Sequence, residues 1–148
     1  MKTIFDKATR DELIQRIGTV NESGKNQWGK MNVYQMLAHC IKWDEMTLSK
    51  KKYKQTFLGK LFGKMALKEF VRDESPFRKN VPTVPGFKIQ ETTGDVEQLK
   101  TTWISLVKEY GQFEDKNLIH PFFGRMTKDQ IGILAYKHTD HHLRQFGF

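Results

Sequence analysis

The stretch TKDQIGILAYKHTDHHLRQF, residues 127–146, decides the fold. Thr127 followed three residues later by Gln130 is the reciprocal capping pattern that opens a helix, because hydroxyl and carboxamide each satisfy a backbone group of the first turn. Each helical residue advances about 100°, so Ile131, Leu134, Ala135, His138, His142 and Gln145 share one face. A helix with such a face buries it, and two imidazoles enter the core with it. His138 and His142, four residues apart, point within about 40° of each other with Cβ atoms about 5–6 Å apart. Both rings then reach one ion at about 2.0–2.1 Å. His141 falls toward the edge of the face and Asp140 nearly opposite, so neither is expected to bind it.

Chance also produces histidine pairs at this spacing, and a lone histidine on an apolar face is more often a hydrogen-bonded core residue than a ligand. A third partner is needed, and His39 supplies it. A second helix is expected from about Asn32, a good amino-terminal cap, to about Ser49. Its apolar arc holds Val33, Met36, Leu37, Cys40, Ile41, Trp43 and Leu48, and His39 stands at the flank of that arc. Three unpartnered buried imidazoles are costly, whereas one divalent metal ion satisfies three acceptor nitrogens at once. His120, before Pro121 and Gly124, reads as structural or as support for a ligand. Cys40 reads as a small core residue, and Asp44 as a carboxylate at the surface edge of the arc or a group orienting a histidine.

Three further stretches carry a helical period: a short one over about residues 9–17, one over about 57–72, and one starting at Asp95 and ending at Gly111. Residues 73–94 change composition to Pro76, Pro82, Pro85, Gly86 and Gly94 and read as a long connection of the kind often laid across a site. With no convincing strand pattern and no internal repeat, the class is all-α. One domain over residues 1–148 is expected, a four-helix bundle with a short extra N-terminal helix. At 148 residues such a domain buries roughly two-thirds of the surface its unfolded chain exposes.

Composition narrows the function classes. The 18 aromatic residues, made up of 11 Phe, 4 Tyr and 3 Trp, exclude a mostly disordered chain. A single cysteine cannot form an internal disulfide, and the amino terminus lacks the apolar run of a signal peptide, so a cytoplasmic protein is expected. The most hydrophobic region, residues 57–71, is interrupted by Lys60, Lys64 and Lys68, and no transmembrane span is expected. A formal charge of +8 and the run Lys50-Lys51-Lys52-Tyr53-Lys54 raise nucleic acid as a second partner class, but no groove-reading or strand-reading motif accompanies them. The lysines of residues 60–68 read as a solvated face, so no membrane partner is expected.

Tyr34-Gln35-Met36-Leu37-Ala38-His39, followed about a hundred residues later by His138-Thr139-Asp140-His141-His142-Leu143-Arg144-Gln145, resembles the DinB/YfiT-like superfamily. Trp28, His120-Pro121-Phe122-Phe123-Gly124 and the ending His-His-Leu-Arg-Gln-Phe-Gly are similar to a branch known only as a domain of unknown function. The resemblance implies an up-down-down-up four-helix bundle, a nickel or zinc ion on His39, His138 and His142, and a homodimer. It also implies hydrolysis or the transfer of a small thiol to an electrophile, with a small-molecule substrate. Three neutral nitrogens leave a divalent ion with an open position, the layout of catalytic rather than structural zinc sites. A water or a thiol in that position ionises more readily than in bulk. No carboxylate stands where a general base is needed. Gln145, one turn after His142, is placed to hydrogen-bond a ligand, and Arg125 and Tyr136 are weaker candidates. A bundle that binds metal only for stability is the non-catalytic alternative.

Overall fold

The computed structural model describes residues 1–114 and 117–148. Its secondary structure is helical: α1 (Lys7–Gly18), α2 (Val33–Thr47), α3 (Phe57–Phe70), α4 (Val96–Glu109) and α5 (Lys128–Gln145). A short hairpin, β1 (Ile119–His120) and β2 (Gly124–Arg125), pairs antiparallel with His120 opposite Gly124. No helix among the described residues is long and apolar enough to cross a membrane.

The helices begin where polar caps allow. Thr127 and Gln130 form the reciprocal box on α5, and Asn32 and Gln35 form the same box on α2. Asp95 accepts from the Gln98 backbone N–H at the start of α4, Thr56 from that of Gly59 at the start of α3. Such caps contribute about 1 kcal/mol each. Asp6 caps α1, so that helix begins at Lys7, earlier than the residue 9 its apolar period indicates.

Long-range contacts fix how the helices run. Asn32 at the head of α2 donates to the Thr92 carbonyl just before α4, and Asp44 near the end of α2 meets Trp103 in the second half of α4 and Tyr110 just past its end. These two helices therefore run in the same direction. Ile4 donates to the Gly132 carbonyl at the start of α5, and Arg16 at the end of α1 pairs with Asp140 near the end of α5, so α1 and α5 also run together. Between α2 and α5 the direction reverses, because His39 meets His142 while Trp43 meets His138. Leu13, Ile17, Met36, Leu37, Trp103, Val107, Ile131 and Leu134 are buried among these four helices. Each contributes roughly 1.5–3 kcal/mol in apolar burial.

Two roles are exchanged relative to the sequence expectation. The leading helix, expected as a short extra, packs against both α4 and α5. The helix that stands apart is α3, seated on β2. Its buried positions are Gly59, Gly63 and Leu67, while Phe57, Leu58, Leu61, Phe62 and Met65 face outward. The two glycines lie one turn apart against the hairpin turn, where a Cβ on Gly63 would stand 2.0 Å from the Phe122 carbonyl oxygen. Thr56 N–H and the Gln55 carboxamide donate to the Pro121 and Phe122 carbonyls and fasten the head of the helix to the same turn. At the other end the buried Lys137 ammonium donates to the Phe70 and Asp73 carbonyls, supplying donors for carbonyls at the helix end.

Candidate metal centre

Side by side on α2 and α5, His39, His138 and His142 each offer one ring nitrogen, and these atoms all lie within 4.8 Å of one another. The ring centroids are 4.7 to 5.1 Å apart pairwise. His39 and His142 are buried and His138 is half-buried.

Each ring is held by a different device. His39 Nδ1 donates to the Phe87 carbonyl at 3.0 Å, so the connection over residues 73–94 does lie across the site. Phe87 itself is buried in a 3-10 turn, Pro85–Phe87, with Tyr53 stacked on its ring. His142 Nδ1 donates to Gln145 Oε1 at 2.9 Å, and the Gln145 Nε2 donates to the Trp28 carbonyl at 2.8 Å, which fixes the carboxamide. The backbone at Gly29, with φ of +80°, passes close over this amide, and a Cβ there would stand 2.6 Å from Gln145 Nε2. His138 lies face to face on Trp43, with centroids 4.5 Å apart and planes 16° from parallel.

These contacts settle which nitrogens point inward. A proton on Nδ1 of His39 and of His142 leaves each Nε2 with a free lone pair. His39 Nε2 faces His138 Nε2 at 3.1 Å. Two imidazole nitrogens at ~2.0–2.1 Å from one ion stand roughly 3.0–3.4 Å apart. The observed spacing falls in that range, so these two rings fit one divalent ion as they stand, while the 4.8 Å span of the full set is wider than the ~4.2 Å that two such bonds can bridge, and the third ring closes in to join them. Burial lowers the pKa of all three rings, with His142 and His39 adding to the effect on His138, and His39 adding to it on His142. Neutral imidazole is the form that binds metal.

The other candidates lie elsewhere. His120 is buried, and its Nδ1 accepts the backbone N–H groups of Phe122 and Phe123 at 3.1 Å each, so it builds the hairpin turn. Burial takes its pKa down to about 3. His141 packs between Trp28 and Phe77 at the edge of the group. Cys40 is buried against Met36, and burial pushes its thiol well above the usual range, which makes it an inert core residue. Arg125 is exposed on β2 and donates to Asn117, and Tyr136 lies beneath the Lys2 ammonium.

Asp44 corrects the sequence reading. It is 1% exposed, accepts from Trp103 Nε1 at 2.9 Å and from Tyr110 Oη at 2.7 Å, and orients no histidine. Sequence reasoning also missed Phe87, whose contribution is a backbone carbonyl and so leaves no side-chain signal. Gln145 was visible one turn after His142, but its partner proves to be the His142 ring itself.

The model of a family described as a protein of unknown function (DUF1569) matches residues 5–147. No curated protein and no solved structure matches the chain.

Proposed function

The chain belongs to the DUF1569 family, and we propose that it is a metal-dependent enzyme whose His39, His138 and His142 hold one divalent ion, nickel or zinc, with an open coordination position. One observation carries the reading. His39 and His142 have their Nδ1 atoms engaged by fixed acceptors, and the His39 Nε2 converges on that of His138 at 3.1 Å. A direct hydrogen bond accounts for the approach of His39 and His138, but a common ion accounts for the gathering of all three rings, and ligand histidines commonly donate their other nitrogen to an oxygen that sets tautomer and orientation.

When bound, such an ion supplies Lewis acidity that favours the ionised form of a water or small thiol at its open position. The protein holds the rings in the neutral, Nε2-directed form and walls the site with Trp43. The carboxylates nearest in sequence to the ligands, Asp44 and Asp140, are engaged by Trp103, Tyr110 and Arg16. Neither is assigned as a general base. The reaction is therefore hydrolysis or transfer of a thiol to a small electrophilic acceptor, both variants of one geometry.

The fold supports the DinB/YfiT-like resemblance at a finer level. With α2 and α4 running together, α1 and α5 running together, and α2 opposed to α5, the four helices have the sense of an up-down-down-up four-helix bundle, with α3 as the additional element. The resemblance adds a homodimer, the single cysteine fits a cytoplasmic location, and no nucleic-acid partner is proposed.

The test is spectroscopic. A small thiol such as 2-mercaptoethanol, added to cobalt- or nickel-substituted protein, should change its absorption spectrum, because thiolate is a soft ligand that takes an open position. Thiol binding favours the transferase reading, and exchange of solvent water without thiol binding favours hydrolysis. No response to thiols or small anions, with no exchangeable water by relaxation, makes the site a closed, structural one.

A further inference from the structure

The largest feature left without a role is the outer face of α3. Phe57, Leu58, Leu61, Phe62 and Met65 are between 50% and 73% exposed. At about 100° per residue they form one arc of roughly 140° along a helix about 21 Å long. Given the ~150–250 Å² of a large aromatic side chain, their exposed area is on the order of 500 Å², near the top of the ~300–600 Å² found for the largest patch on a typical monomer.

This exposure follows from how the helix is attached. Gly59 and Gly63 let the α3 backbone rest directly on the Phe122 carbonyl, so the side of the helix that meets the protein is the one without side chains. Rolling α3 to bury Leu61 and Met65 would break that seat. Lys60, Lys64 and Lys68, all exposed, climb one border of the apolar arc, with Lys64 donating to the Arg125 carbonyl, and exposed Lys52 and Lys54 precede it. The single acid on the outer side, Glu69, is paired with Arg72 at 3.0 Å. The lysines thus border an outward apolar face rather than forming the solvated back of an inward one, which departs from the sequence expectation.

We propose that this face of α3 docks the protein on an anionic lipid bilayer surface, with the five apolar side chains entering the acyl boundary and the lysines meeting lipid phosphates. An apolar stripe bordered by lysines on a helix lying in the surface plane is the pattern that such surfaces bind. A second copy of the chain fits less well. Antiparallel self-pairing would bring two lysine borders together, and in either orientation the patch falls short of the ~800 Å² per partner of a standard stable interface.

The experiment uses full-length protein and vesicles of phosphatidylcholine, with or without an equal part of phosphatidylglycerol, in a co-sedimentation assay. Binding to the anionic vesicles should exceed binding to neutral ones by roughly tenfold or more. The double variant Leu61→Ser/Met65→Ser keeps the charge and alters only exposed side chains, so it should fold and melt as the parent does while losing that binding. Lys60→Glu/Lys68→Glu should remove the preference for anionic lipid. The proposal is overturned if the parent binds neither vesicle. It is also overturned if the Leu61→Ser/Met65→Ser protein binds as well as the parent, which reduces the attraction to the general charge of the chain. Sedimentation giving a dimer that this double substitution disperses would assign the face to a second copy instead.

Discussion

Gln145 accepts a hydrogen bond from His142 Nδ1 at 2.9 Å while its own Nε2 donates to the Trp28 carbonyl at 2.8 Å. The second bond dictates the first. With its amide pinned by a backbone oxygen, Gln145 can present only its carbonyl to the imidazole, and His142 must keep its proton on Nδ1.

Replacing Gln145 with Ala removes that control without touching a ligand. Metal affinity should fall roughly 10–100-fold, the usual effect of removing such a supporting bond. Titration calorimetry with zinc checks it, alongside circular dichroism to show that the helices remain. An unchanged affinity would mean that the Gln145 bond does not orient the ring.

Gly63→Ala tests the seat of α3. The substitution gains about 1 kcal/mol of helix propensity but drives a Cβ into the Phe122 carbonyl, a backbone atom that cannot swing away. Overpacking of this kind costs about 1–3 kcal/mol, so the net loss in urea unfolding lies between about 0 and 2 kcal/mol, toward the upper end because the clash is with backbone. Gly18→Ala, where a Cβ meets nothing within 4 Å, is the comparison and should not lose stability through packing.

Asp44 predicts a pH dependence. Burial raises its pKa from 3.8 to about 7, only partly offset by the Tyr110 and Trp103 hydrogen bonds. Below about pH 4 it is protonated folded and unfolded, and its contribution is fully present. Between about 4 and 7 the unfolded chain releases the proton and the folded one retains it, so stability falls as pH rises, by on the order of 4 kcal/mol in the limit. The groups facing it are Tyr110 and Cys40, whose pKa values burial pushes well up, so neither titrates in this window. Asp44→Asn removes the dependence. Unfolding midpoints at pH 5 and pH 8 should show the variant gaining on the parent at the higher pH. The buried histidines, with depressed pKa values, contribute in the opposite sense but equally to both proteins.

The site was legible where side chains repeat with the helix and illegible where the backbone or a distant helix supplies the partner. The capping box at Thr127, the four-residue step from His138 to His142, and the flank position of His39 were enough to bring three residues together. Periodicity could not say that Asp44 would be covered by Trp103 and Tyr110, because they come from α4 and the turn that follows it, across a long connection. Nor could it orient α3, since an amphipathic period gives two faces and leaves open which one meets the protein. The signal was Gly59 and Gly63, one turn apart, marking a close backbone approach.

The most direct test of the central claim is the metal content of the purified protein after saturation with nickel or zinc and removal of excess ion. Elemental analysis should find close to one divalent ion per chain, and His138→Ala and His142→Ala should each bring it to background while circular dichroism still reports helices. Background metal in the parent protein, or an undiminished ion in both variants, would contradict the assignment of His39, His138 and His142 as its ligands.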